Sequence, residues 1–176
     1  IYQCDWSSDV CSADLERWLG RKPGGVRANL AMAGLQGVTL PKANLRGAKL
    51  SGANLARAIL TGADLTEADL FAANLDRADM TNAICLRAAM RGAFLSGTKM
   101  HGCNLRGADL RGGTLMSADS KTGPQMRTSN ISAPGQEAKA AKANVSGADL
   151  SNSQLSDADC SGARMAGVNL ANAKIG

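Results

Sequence analysis

Leucine or methionine stands at every fifth position over most of the chain, with alanine two residues before it. The run opens at Ala28-Asn29-Leu30 and continues through Leu35, Leu40, Leu45 and Leu50 to Leu110 and Leu115. A period of five fits neither regular element. In an α-helix, residues five apart are rotated by about 140°, so the leucines would spiral instead of forming a stripe. In a straight strand, every fifth side chain would change face. All of them stay inside only if the chain turns by a similar angle in each repeat and winds around its own leucines. Four turns of roughly 90° close a coil of about 20 residues, and stacked coils then hydrogen-bond like strands roughly 4.8 Å apart.

With the apolar centre as position i, the first block runs from Leu30 to Ser120 and holds nineteen such sites, seventeen of them Leu or Met. Cys85 and Ser120 depart. Position i−2 is Ala at fifteen of the nineteen, with Val38, Thr98, Cys103 and Gly113 as exceptions. A small residue there fits a narrow interior already holding the larger side chain. Position i−1 is often Asn or Asp, as at Asn29, Asp64, Asp79 and Asp109. These face outward near turns, where their side chains bond local backbone. Position i+2 is often Gly, which relieves strain at a tight corner.

Tandem Ala-Asp/Asn-Leu-x-x resembles the pentapeptide-repeat family, over about 125 residues in two blocks. The resemblance implies an all-β fold, a right-handed quadrilateral β-helix. Six to seven coils, on the order of 30 Å in length, would result. It implies little about function, because the family's roles are diverse. Such solenoids are stabilised by neighbour-to-neighbour stacking.

The interruptions divide the chain. Residues 1–15 read as a non-native leader: Asp5 to Leu15 closely resembles a translated sequencing adapter, differing at Ala13. Residues 16–27 read as a short capping helix and turn, with Trp18 covering the first coil. Leu15, Trp18 and Leu19 share a face, and Gly20, Pro23, Gly24 and Gly25 break the helix. Block 1 spans 28–120. Residues 121–142 form a gap without Leu, containing Gly123-Pro124 and Ala133-Pro134-Gly135. It reads as an inserted loop or a short helix, with good helix formers at Gln136–Lys142. Block 2 spans 143–176, from Ala143-Asn144-Val145 through Leu150, Leu155, Cys160, Met165, Leu170 and Ile175. Ser120 and Val145 are separated by a multiple of five, so block 2 is expected to stack on block 1 with the gap looped out. At Gly176 the pattern stops unfinished: a bare end, an end pairing with a second copy as a homodimer, and a truncated sequence all fit.

Net charge is +5 and the pI is near 9.1, with no dense basic run of the kind that marks a nucleic-acid tail. No stretch of about 18 apolar residues suggests a membrane span, and the start lacks a signal-peptide pattern, which points to the cytoplasm. Cys85, Cys103 and Cys160 occupy inward positions and read as core filler; their spacing is not that of a zinc site.

Coiling also predicts neighbours. Residues 20 apart should stack, placing Lys49 beside Asp69, and Lys99 between Asp79 and Asp119. Catalysis finds little support, and neither a catalytic group nor a cofactor site is read from the sequence. His101, the sole histidine, takes an outward position between Thr81 and Lys121. Asp64, Glu67 and Asp69 lie close, but Asp at i−1 belongs to the repeat and does not argue for metal. The best surface candidate is basic. Arg87, Arg91, Arg106 and Arg111 are expected on two adjoining faces in neighbouring coils, with Arg57 stacked on Arg77 on the next face. Such a patch suits an acidic partner, phosphate or anionic lipid; the bland reading is a solvated face. Ile59, Phe71, Ile84, Leu86, Phe94 and Met116 are expected to face outward, where some could form a modest apolar patch.

The leading reading is a non-enzymatic scaffold that binds another protein. The alternative is a binder of nucleic acid or a membrane surface through the arginines. The resemblance also brings in one branch of the family that mimics duplex DNA to engage a topoisomerase. That role requires a strongly acidic surface, which this basic chain lacks.

Overall fold

The computed structural model describes residues 29–119, 123–129, 142–153 and 160–174, with the backbone alone for 113–119 and 123–129. The chain coils as its period demands. Asn29, Gly34, Thr39 and Asn44 form parallel bridges to Lys49, Asn54, Ile59 and Asp64, each 20 residues on. One coil therefore has four sides of five residues, and the bridges repeat to Asn169.

Backbone polarity is met between coils. The i amide donates to the next coil, as Leu30 N does to Lys49 O at 2.8 Å, and the i−1 amide donates back, as Asn54 N does to Ala33 O at 2.9 Å. The i−2 amide closes each corner, as Ala33 N does to Leu30 O at 3.1 Å. The amide at i+1 is left over. The Asn or Asp at i−1 takes it: Thr66 N donates to Asp64 Oδ1 and Thr81 N to Asp79 Oδ1, both at 3.0 Å. Without that acceptor a corner donor would lose its partner.

Leu65, Leu70, Leu75, Met80 and Cys85 at i, with Ala68, Ala73, Ala78 and Ala83 at i−2, are fully buried in one continuous core. Packing and the hydrophobic effect thus explain both repeat positions. Cys85 and Cys103 are free and buried, their sulfurs 3.8 Å apart in adjacent coils, and Cys160 is half-buried. Burial and the facing Cys103 thiol push the Cys85 thiol well above its ordinary value, Cys103 contributing most.

The solenoid continues across the gap. Asn104 bridges Asn144 and Asp109 bridges Asp149, each pair 40 residues apart. The excess over the usual spacing is one whole coil, so block 2 stacks on block 1 in register. The departure point differs from the sequence expectation. The beat runs on through Leu115 to Ser120, yet the chain leaves the coil after Gly112. It forms an antiparallel hairpin, β1 (Gly113–Asp119) and β2 (Gly123–Ser129), with Met116 opposite Met126. Asp119 consequently lies in β1 and not over Lys99, although Lys99 does bridge Asp79 and Lys49 bridges Asp69. The exit is tight: a Cβ on Gly112 would sit 2.4 Å from the Asn152 carbonyl oxygen. The expected leader at 1–15, capping helix at 16–27 with Trp18, Lys121, the helix at Gln136–Lys142 apart from Lys142 itself, Leu155 and Ile175 lie outside the described residues.

Candidate functional site

The coil geometry places the four arginines singled out by sequence on neighbouring rungs. Arg87 N donates to Arg106 O at 3.0 Å and Gly92 N to Arg111 O at 2.9 Å, so Arg87 lies beside Arg106 and Arg91 beside Arg111. All four occupy corners, two corners along the same pair of coils. Sequence phase alone supports that adjacency.

Their partners were not visible in the phase. Arg87 is ion-paired with Glu67, one coil away at the same corner. Arg111 contacts Asp109 at 2.6 Å and lies 3.9 Å from Asp149. The Arg111 hydrogen bond, followed by its backbone amide and the nearby charges of Arg111 and Arg91, holds the Asp109 carboxyl below its ordinary value against a smaller opposing effect of burial. Backbone and side-chain bonds from Ser151 do the same for Asp149. Arg91 and Arg106 make no ion pair among the described residues. Half of the patch is thus neutralised by its own carboxylates, which weakens its field at a distance.

The apolar candidates separate. Ile59, Phe71 and Ile84 are exposed, whereas Leu86 and Phe94 are half-buried. Ile59 stacks between Thr39 and Asp79, and Ile84 between Asp64 and Asn104, on different sides of the coil. Among the described residues Met32 is the most exposed large apolar one, at 73 %, and occupies a corner where the repeat often has Gly. Its place on the beat could have revealed it. His101 is exposed at a corner beside the rung of Asn82, whose amide donates to its carbonyl. No group of three or more His, Cys, Asp or Glu among the described residues is arranged to hold a metal ion.

A shallow cleft of about 290 Å³ opens on another side, lined by Gln36, Ala56, Arg57, Asn74, Asp76 and Arg77. Arg57 N donates to Asp76 O at 2.9 Å, so the corners of Arg57 and Arg77 are stacked, as the phase predicts.

The family model for pentapeptide repeats matches residues 28–66, 48–84, 87–115 and 136–174. No curated protein matches this chain. A pentapeptide repeat protein of the Arabidopsis thaliana thylakoid lumen is 36% identical over 46% of this chain and 63% of its own, with a TM-score of 0.35. The chain thus spans less than two thirds of that relative. HetL, from the cyanobacterium Nostoc sp. strain PCC 7120 and involved in heterocyst differentiation regulation, is 21% identical over 91% of this chain and 92% of its own, at a TM-score of 0.34. QnrB1, a plasmid-mediated fluoroquinolone resistance protein, is 18% identical over 81% and 84%, at 0.39. Repeat match, 20-residue coil and buried Leu/Ala ladder agree: this chain belongs to the pentapeptide-repeat family.

Proposed function

We propose that this protein is a non-enzymatic scaffold whose outer faces bind another protein. The observation that carries the reading is the filled interior. From Leu45 to Leu75, every residue at i and i−2 is at most 1% exposed, apart from the half-buried Ala43 just before it. Such a core leaves recognition to side chains displayed outward at fixed spacing. The same reading takes the solenoid as right-handed with six to seven coils, and as cytoplasmic.

Binding of nucleic acid or an anionic membrane through Arg87, Arg91, Arg106 and Arg111 is the second reading. The carboxylates already facing Arg87 and Arg111 count against it. Mimicry of duplex DNA is third, disfavoured by a net charge of +5. Pull-down from nuclease-treated host extract, followed by footprinting of the purified complex, tests the first reading. A stoichiometric protein partner protecting solenoid side chains supports it. Retention on duplex DNA or anionic vesicles at about 0.15 M salt, lost in Arg91→Ser/Arg106→Ser, would overturn it in favour of the second.

A further inference from the structure

Two neighbouring coils treat their outward positions in opposite ways. In the coil of residues 64–83, position i−1 is Asp64, Asp69, Asn74 and Asp79. Each accepts from the i+1 amide of its own corner, at Thr66, Phe71, Asp76 and Thr81. In the coil of residues 84–103 the same positions hold Ile84, Ala89, Phe94 and Lys99, whose side chains carry no acceptor. Ser96 N reaches back one coil to Asp76 Oδ1 at 3.2 Å. The amides of Leu86, Arg91 and His101 find no acceptor among the described residues. Asn104 and Asp109 then restore the usual arrangement.

On one side of that coil, apolar side chains accompany the unused donor. Ile84 and Leu86 flank the buried Cys85, so both face outward from the same side. Ile84 is 38% exposed and Leu86 is half-buried. Asparagine at 84 would close the Leu86 amide and be well solvated; isoleucine does neither. Covering this side completes it only if the cover brings an apolar group and a hydrogen-bond acceptor together.

The border sets the sign of that acceptor. Asp64 and Glu67, one coil before, are already paired with Arg46 and Arg87. Arg106, one coil on from Leu86 at the same i+1 position, is exposed and makes no ion pair among the described residues. The charge left for a partner is therefore positive, which favours a carboxylate.

We propose that the Ile84–Leu86 side is the partner contact, met by an extended protein segment that bears an apolar side chain and a carboxylate two residues apart. Residues at that spacing share one face of an extended chain, as Ile84 and Leu86 do. The apolar side chain covers Ile84 and Leu86, and the carboxylate accepts from the Leu86 amide and Arg106. The proposal rests on the scaffold reading and gives its partner a chemistry.

The test uses the full chain and an acetylated peptide of three Leu-Ser-Glu-Ser units. Two control peptides replace every Glu by Gln or every Leu by Ser. NMR follows the Leu86 amide and the Arg106 side-chain Nε–Hε signal. Saturable shifts at both are expected, with binding about tenfold weaker or less for either control. Ile84→Asn restores the acceptor of the repeat, so it should weaken binding about tenfold while its urea midpoint holds or rises. Arg106→Ser carries the same expectation for binding and serves alone should Ile84→Asn fail to fold. Absence of saturable shifts at Leu86 and Arg106, equal binding of either control, or native binding by a folded variant would each overturn the proposal. A protein partner footprinted on another face would overturn it while leaving the scaffold reading intact. Retention on duplex DNA or anionic vesicles, lost in Arg91→Ser/Arg106→Ser, would overturn both.

Discussion

Ser153 donates its hydroxyl to the carbonyl of Leu110 at 2.8 Å, a buried hydrogen bond spanning 43 residues of chain. Thr98 makes the same bond to Leu75, also at 2.8 Å, across 23. Both hydroxyls stand at i−2, where alanine is usual, and both reach the i carbonyl of the preceding coil. The bond is one device used twice, and the insertion between its second pair has the length of one coil. Removing the hydroxyl while keeping volume should therefore cost about 1 kcal/mol at each site. Ser153→Ala and Thr98→Val, compared in urea unfolding, are expected to agree within about 0.5 kcal/mol. A negligible effect at Ser153 alone would mean that block 2 is not docked as described.

Gly112 and Gly147 separate two reasons for glycine. At Gly112 a Cβ would meet the Asn152 carbonyl oxygen at 2.4 Å, with the Asn152 carbonyl carbon at 3.1 Å and Ser153 Cα at 3.2 Å, all backbone atoms. At Gly147 nothing lies within 4 Å, but φ is +66°. Gly147→Ala should lose about 1 kcal/mol, the left-handed backbone term alone. Gly112→Ala should lose more than about 2 kcal/mol, since backbone on both rungs must shift. Thermal melts of the two variants decide this, and equal losses would remove the close approach from the account.

Much of this was legible in the sequence, because each repeat position has one physical task. Leu at i, Ala at i−2, the Asn or Asp acceptor at i−1 and the left-handed corner at i+2 follow from spacing alone. So do the pairs Lys49–Asp69 and Asp79–Lys99. The hairpin was not legible. Leu115 and Ala118 keep the beat, so a pattern that specifies only inward positions cannot distinguish a coil side from β1. The pairing of β1 with β2 decides the outcome. The ion pairs of Arg87 and Arg111 were also missed, as phase gives which corners neighbour each other but not where long side chains reach.

Core substitutions should show how narrow the interior is. Leu65 and Ala68 are fully buried, whereas Phe71 is 46% exposed. Leu65→Ala is expected to cost about 2–5 kcal/mol through cavity formation. Ala68→Leu should cost about 1–3 kcal/mol or more through overpacking. Phe71→Ala should stay within about 0.5 kcal/mol. Denaturant midpoints rank the three, and a tolerated Ala68→Leu would contradict a core filled at i−2.

Acid should weaken the Asp109–Arg111 corner. Asp109 is held below its ordinary value of 3.8, chiefly by the Arg111 hydrogen bond. A carboxyl with a lowered folded-state value adds stability above the unfolded value, and loses it as pH falls below that value. The stability difference between the native protein and Arg111→Ser is therefore expected to be present near neutral pH. It should shrink as pH drops from about 5 through the carboxylate range. A difference independent of pH would place the contribution of Arg111 in packing instead.

The central claim is a single continuous solenoid from which the hairpin departs by a whole coil. Excision of residues 113–132 removes twenty residues and leaves the phase between Leu110 and Leu150 that ordinary coils have. Far-ultraviolet circular dichroism during thermal unfolding reads the result. The account predicts a retained β signal and one cooperative transition. Two separated transitions, or loss of the signal, would show that the blocks are not joined in register.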